Sequence, residues 1–107
     1  MNYTKEQVEQ IVAEAQAAAY DAALKYFQDK LNGVDQYACG FAWVEVYGIK
    51  GSTKLGRILK QIDFSRQMWN PAKFPAQNID TLYEGARAAA SVLKGYGFDA
   101  YACSRLD

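Results

Sequence analysis

The run Tyr37-Ala38-Cys39-Gly40-Phe41-Ala42-Trp43-Val44-Glu45-Val46-Tyr47 alternates with period two. Its even positions are small or aliphatic: Ala38, Gly40, Ala42, Val44 and Val46. Its odd positions are Tyr37, Cys39, Phe41, Trp43, Glu45 and Tyr47. This alternation predicts a strand over 37–47 with one face suited to helix packing. The aromatic face needs a cover of its own: a helix, a second subunit or a ligand.

On the N-terminal side, Thr4-Lys5-Glu6-Gln7 fits a capping box ahead of a run without Gly or Pro. Val8, Ile11, Val12, Ala15, Ala19, Ala22 and Tyr26 recur at three- and four-residue steps, and Tyr20, Leu24, Phe27 and Leu31 broaden the stripe. A helix is predicted over 5–31, stopped by Asn32-Gly33. At 1.5 Å per residue it is about 40 Å long. A domain of this size is only about 33 Å across, so the helix is expected to overhang the fold. Its alanine-rich first half reads as a self-association surface. The plainer reading is a helix lying along its own sheet with frayed first turns.

On the C-terminal side, Gly48-Ile49-Lys50-Gly51-Ser52 reads as a turn with Ser52 as helix cap. Leu55, Ile58, Leu59 and Ile62 predict a short helix over 53–62. Phe64 to Trp69 is expected as a second strand, ended by Asn70-Pro71. A loop follows over 71–78. Thr81-Leu82-Tyr83-Glu84 fits a second capping box, with Asp80 as cap, and predicts a helix over 80–94. Gly85 inside it marks close backbone packing. After Gly95-Tyr96-Gly97, a strand is predicted over 98–104, with Tyr101 and Cys103 facing like the aromatic side of the first strand. The order α-β-α-β-α-β predicts an α+β fold: a small three-stranded sheet with helices on at least one face. Residues 1–107 form one domain, with an N-terminal helix in 1–33 and an α/β core in 36–107.

Composition excludes several function classes. Among 107 residues there is no histidine, so Ser-His-Asp and Cys-His nucleophile systems cannot be built. Mixed cysteine–histidine zinc sites are excluded likewise. No carboxylate pair is spaced for acid–base work, so a non-enzymatic protein without cofactor or metal is expected. Cys39 and Cys103 read as buried free thiols. No run is apolar enough to span a membrane. Met1 to Gln10 is polar, unlike a secretory signal. A cytoplasmic location is expected.

The 12 basic and 12 acidic side chains cancel in sum but not along the chain. Residues 1–36 carry three basic and six acidic groups. Residues 48–76 carry Lys50, Lys54, Arg57, Lys60, Arg66 and Lys73 against Asp63 alone. Gly51-Ser52-Thr53-Lys54 lacks the Gly-Lys-Ser/Thr order of a Walker A loop. The basic segment reads as the solvated face of an amphipathic helix, or as a contact for nucleic acid or another anion. The aromatic positions Tyr37, Phe41, Trp43, Tyr47 and Tyr101 read as core or dimer contacts, or as a base-stacking platform.

Several strings are diagnostic as a group: Gln36 to Val44, Lys50 to Gly56, Trp69-Asn70-Pro71, Gln77-Asn78-Ile79-Asp80 and Ala100 to Asp107. Over about residues 36–107 the chain resembles a family of short uncharacterised proteins of tailed bacteriophages and marine environmental sequence. The resemblance implies a phage or phage-like origin, hence the host-cell cytoplasm, and carries over no activity or site residue. The Asn and Gln amides bracketing the Pro-containing loop are expected to tie it to a strand edge. The candidate binding surface is Lys50, Lys54, Arg57, Trp69, Asn70, Asn78 and Arg105. The leading expectation is a protein that self-associates, as a dimer, through the long helix or the aromatic sheet face. The alternative is a small nucleic-acid or anion binder using residues 50–73.

Overall fold

The computed structural model covers residues 1–107 and shows an α+β fold. The elements are α1 (Lys5–Leu31), β1 (Gly40–Tyr47), α2 (Lys54–Gln61), α3 (Phe64–Gln67), α4 (Ile79–Gly95) and β2 (Asp99–Leu106). The long helix forms as expected. Gln7 N–H donates to Thr4 Oγ1 at 3.2 Å while Thr4 N–H donates to Gln7 Oε1 at 2.8 Å, completing the capping box. Asn32 closes the other end in the left-handed region at φ 54°.

The sheet has two strands, not three. β1 and β2 pair antiparallel, with Phe41 opposite Arg105, Trp43 opposite Cys103 and Glu45 opposite Tyr101. The strand expected at Phe64–Trp69 is instead the single turn α3, followed by one bridge in which Trp69 pairs with Trp43. Phe64 and Met68, four residues apart, are both buried, and a helical turn puts them on one side. Alternation would have placed Arg66 inward beside them.

The layers run sheet, α4, α1. α4 packs on both strands through the small face: Ala42, Val44 and Ala100 are buried beneath it. α1 packs on the opposite side of α4. A helix covered on two sides needs small residues, and Gly85, Ala86, Ala89 and Ala90 supply them. A Cβ at Gly85 would come within 2.9 Å of Ala72 Cβ and 3.2 Å of the Ala19 carbonyl oxygen. The alanine stripe of α1, including Ala15, Ala19 and Ala23, is thus consumed inside the chain. It packs on a helix, not on the sheet, and is not free for a partner.

The molecule measures 43 × 23 × 19 Å, and α1 sets its long axis. The first turns are held, not frayed. Tyr3 stacks on Phe98 with centroids 6.2 Å apart, and its hydroxyl donates to the Tyr96 carbonyl at 2.7 Å. The Tyr96 hydroxyl in turn donates to the Glu14 carboxylate.

Two caps differ from expectation by one and two residues. Thr53, not Ser52, caps α2, its Oγ1 accepting from Gly56 N–H at 3.0 Å. Asn78, not Asp80, caps α4. The Thr81–Glu84 box is not used, because the Thr81 hydroxyl donates to Asn78 Oδ1 at 2.9 Å.

Candidate functional site

The face of the sheet away from α4 has no covering element. It carries Phe41, Trp43, Glu45 and Tyr47 from β1 and Tyr101, Cys103 and Arg105 from β2, a consequence of strand alternation and the observed register. The bridge adds Trp69. Its ring stacks on Trp43, with centroids 5.2 Å apart and planes 16° apart, and leans on Phe41 at 5.8 Å. Tyr47 and Tyr101 pair across the strands at 5.6 Å. Trp69, Tyr47 and Tyr101 are each about half exposed. Tyr37, expected here, lies outside β1 with φ 67° and is exposed.

The polar groups of this face are already engaged. Trp43 Nε1–H donates to Glu45 Oε1 at 3.1 Å, and the Tyr47 hydroxyl donates to the other carboxylate oxygen. Tyr47 first, then Trp43, holds the Glu45 carboxyl below the usual carboxylate range. The same bond pushes the Tyr47 hydroxyl up. The Arg105 guanidinium lies 5.6 Å from the Phe41 ring centre and Lys94 Nζ lies 5.4 Å from that of Tyr101, both in cation–π range.

Two grooves flank Trp69. The larger, about 760 Å³, runs along β1 from Trp43 to Tyr47 and is walled by Ile49, Leu59, Phe64 and Arg66. The smaller, about 430 Å³, holds Asn70, Lys73, Gln77 and Asp107 beside Phe41. Asn70 takes φ 49°, and its buried Oδ1 has no hydrogen-bond partner.

The seven candidate residues do not form one surface. Lys50, Lys54 and Arg57 are exposed around the start of α2 and line neither groove. Trp69 and Arg105 share the open face, and Asn70 lies in the smaller groove. Asn78 is buried at 1% exposure and is structural. Its Oδ1 accepts from Thr81 N–H at 2.8 Å while its Nδ2 donates to the Gln36 carbonyl at 2.8 Å. The loop is tied to the edge of β1 as expected, but mainly by backbone: Gly40 N–H donates to Gln77 O and Asn70 N–H to Ala42 O. Asp35, not singled out from sequence, clamps the loop by accepting from the N–H groups of Gln77 and Asn78 at 2.8 and 3.0 Å.

Both cysteines are free, and neither is fully buried as expected: Cys39 is exposed and Cys103 half-buried. Cys103 stands opposite Trp43, four residues from Cys39 along β1. At about 3.3 Å per residue the two are far too distant for a disulfide. Burial first, then the Glu45 carboxylate, pushes the Cys103 thiol up. No group of three or more Cys, Asp or Glu side chains is arranged to hold a metal ion. No helix is long and apolar enough to cross a membrane. No protein-family model, curated protein or solved structure matches the chain.

Proposed function

We propose that this protein is a non-enzymatic binding module, an accessory protein of phage or phage-like origin working in the cytoplasm, that self-associates as a dimer through the open face of its sheet. The carrying observation is the cluster of Trp43, Trp69, Phe41, Tyr47 and Tyr101 on a face that no element of the chain covers. Aromatic residues are enriched in the buried centres of interfaces. The Glu45 carboxylate on this face already accepts two hydrogen bonds, which lowers the cost of excluding water from it. Light scattering behind gel filtration tests the reading. It expects twice the chain mass of 11.9 kDa at high micromolar concentration; a monomer under those conditions rejects it.

A second reading is supported by the cations over the Phe41 and Tyr101 rings and by the basic segment at Lys50, Lys54 and Arg57. On this reading the face stacks bases of single-stranded nucleic acid and the basic groups follow its backbone. A gel shift that weakens steeply with salt supports it. No shift at low salt removes it.

A further inference from the structure

β1 is covered along only part of its outer edge. In an antiparallel ladder, each residue turns its N–H and C=O to the same side, and successive residues alternate sides. Ala42 and Val44 turn theirs away from β2. Asn70 N–H donates to Ala42 O at 2.9 Å, and Val44 N–H donates to Met68 O at 3.1 Å. By the same alternation the N–H and C=O of Val46, with the C=O of Val44, face outward. No turn, loop or side-chain hydrogen bond of the chain takes any of the three.

The groove of about 760 Å³ lies along this stretch. Only Trp69 bridges the edge; Met68 ends α3 with helical dihedrals (φ −90°, ψ 0°) and Asn70 is left-handed (φ 49°), so the chain's own cover stops where the free groups begin. Ile49, Leu59 and Phe64 form an apolar wall facing the edge. β1 forms one side of the groove and this apolar wall the other, leaving room for one extended chain between them. Arg66 stands on its rim and Lys60 adjoins it beside Leu59. Neither is in an ion pair; the single salt bridge of the molecule is Arg87–Glu84, elsewhere.

We propose that the outer edge of β1 at Val44–Val46 binds an extended, acidic segment of a partner protein by strand addition. The incoming chain lies along the edge beside the Trp69 bridge. Its backbone takes the free groups of Val44 and Val46, alternate apolar side chains seat against Leu59 and Phe64, and its carboxylates meet Arg66 and Lys60. This site borders the open aromatic face, sharing Trp43, Glu45, Tyr47 and Trp69 with it, but it uses the backbone edge of β1 and does not require self-association.

The test uses a capped hexapeptide of alternating Asp and Val, titrated into the full chain and followed by backbone amide NMR. The expected result is a shift at Val46 N–H with about tenfold slower exchange at saturation. Replacing Asp by Lys should weaken binding about tenfold or more. N-methylating the peptide at its Val residues or at its Asp residues should abolish binding in one case and spare it in the other. Leu59→Glu should abolish binding, and Arg66→Gln, a surface change that leaves the fold intact, should weaken it. The proposal is overturned by no change at Val46 N–H with millimolar peptide. It is also overturned by equal binding of both N-methylated peptides, by tighter binding of the Lys peptide, or by a single-stranded oligonucleotide filling the groove while the peptide does not.

Discussion

Trp69 lies parallel to Trp43, ring centres 5.2 Å apart, across a single β-bridge that stands where a third strand would begin. These are the two tryptophans of the chain, and both belong to the uncovered face. Every tryptophan signal therefore reports on that face.

Trp69→Ala should remove the stacked pair and leave α1 and α4 in place. The near-ultraviolet circular dichroism of the coupled indoles should vanish while the helical signal stays. The ring is 44% exposed, so the stability loss should be about 1–2 kcal/mol, below the 3–5 kcal/mol of a fully buried aromatic. Urea unfolding measures it. Wild-type near-ultraviolet dichroism in the variant would contradict the stacking.

Gly85 sets two known effects against each other. Alanine is worth about 1 kcal/mol more than glycine in a helix. Here the added methyl would meet Ala72 Cβ at 2.9 Å and the Ala19 carbonyl at 3.2 Å, and overpacking costs about 1–3 kcal/mol. Gly85→Ala should therefore be destabilising by about 1 kcal/mol net. Gly95, with nothing near its would-be Cβ, should tolerate alanine without loss. A stabilised Gly85→Ala in a urea melt would show that α1 and α4 are packed less closely than described.

Asn78 holds the loop and the start of α4 together with one amide. Asn78→Ala removes the cap and leaves the half-buried Gln36 carbonyl without its donor, at a cost of about 2 kcal/mol. Asn78→Asp keeps an acceptor for Thr81 but loses the donor, so thermal unfolding should rank it between wild type and Asn78→Ala. The reverse order of the two variants would assign the stability to the Gln36 contact alone.

The helices and the two strands could be read from periodicity because their faces are strictly sorted: Val8, Ile11 and Val12 on α1, Ala42 and Val44 on β1. The failures lie where short segments carry two compatible patterns. Phe64 to Trp69 holds apolar residues at 64, 68 and 69, and the four-residue step from Phe64 to Met68 won over the adjacent Met68-Trp69 pair. Asn78 could not be distinguished from Asp80 as a cap, because both are good N-caps at the end of one loop. The candidate surface failed for a different reason. Spacing places Lys54 and Arg57 on one helix, but only the register that sets Phe41 against Arg105 says which residues share the sheet face. The groove beside β1 depends on contacts between α2, α3 and a strand edge, which no local pattern encodes.

The thiols should separate by rate. Cys39 is exposed, whereas Cys103 is half-buried with its thiol pushed up by burial and by Glu45. A thiol-specific reagent at mildly alkaline pH should react in two phases, the fast one lost in Cys39→Ser. Glu45→Gln should speed the slow phase, because a neutral neighbour no longer opposes the thiolate. A slow phase unmoved by Glu45→Gln would separate the two side chains.

Glu45 also predicts a pH dependence. Its folded carboxyl titrates below the ordinary value of 4.5 because the Tyr47 and Trp43 donors favour the ionised form. Its contribution to stability is then present above 4.5 and is lost as pH falls through the lower folded value. The difference in melting temperature between wild type and Glu45→Gln should shrink over that acidic window. A difference that grows on acidification would mean the carboxyl is held above its ordinary value.

Acrylamide quenching of tryptophan emission at low and at high micromolar protein tests the face itself. If the face is the dimer contact, quenching should fall as protein concentration rises and the indoles are covered, and Trp69→Glu should keep the remaining Trp43 equally quenchable at both concentrations. Wild-type quenching that stays unchanged across the range, with a particle mass of one chain, would contradict the account.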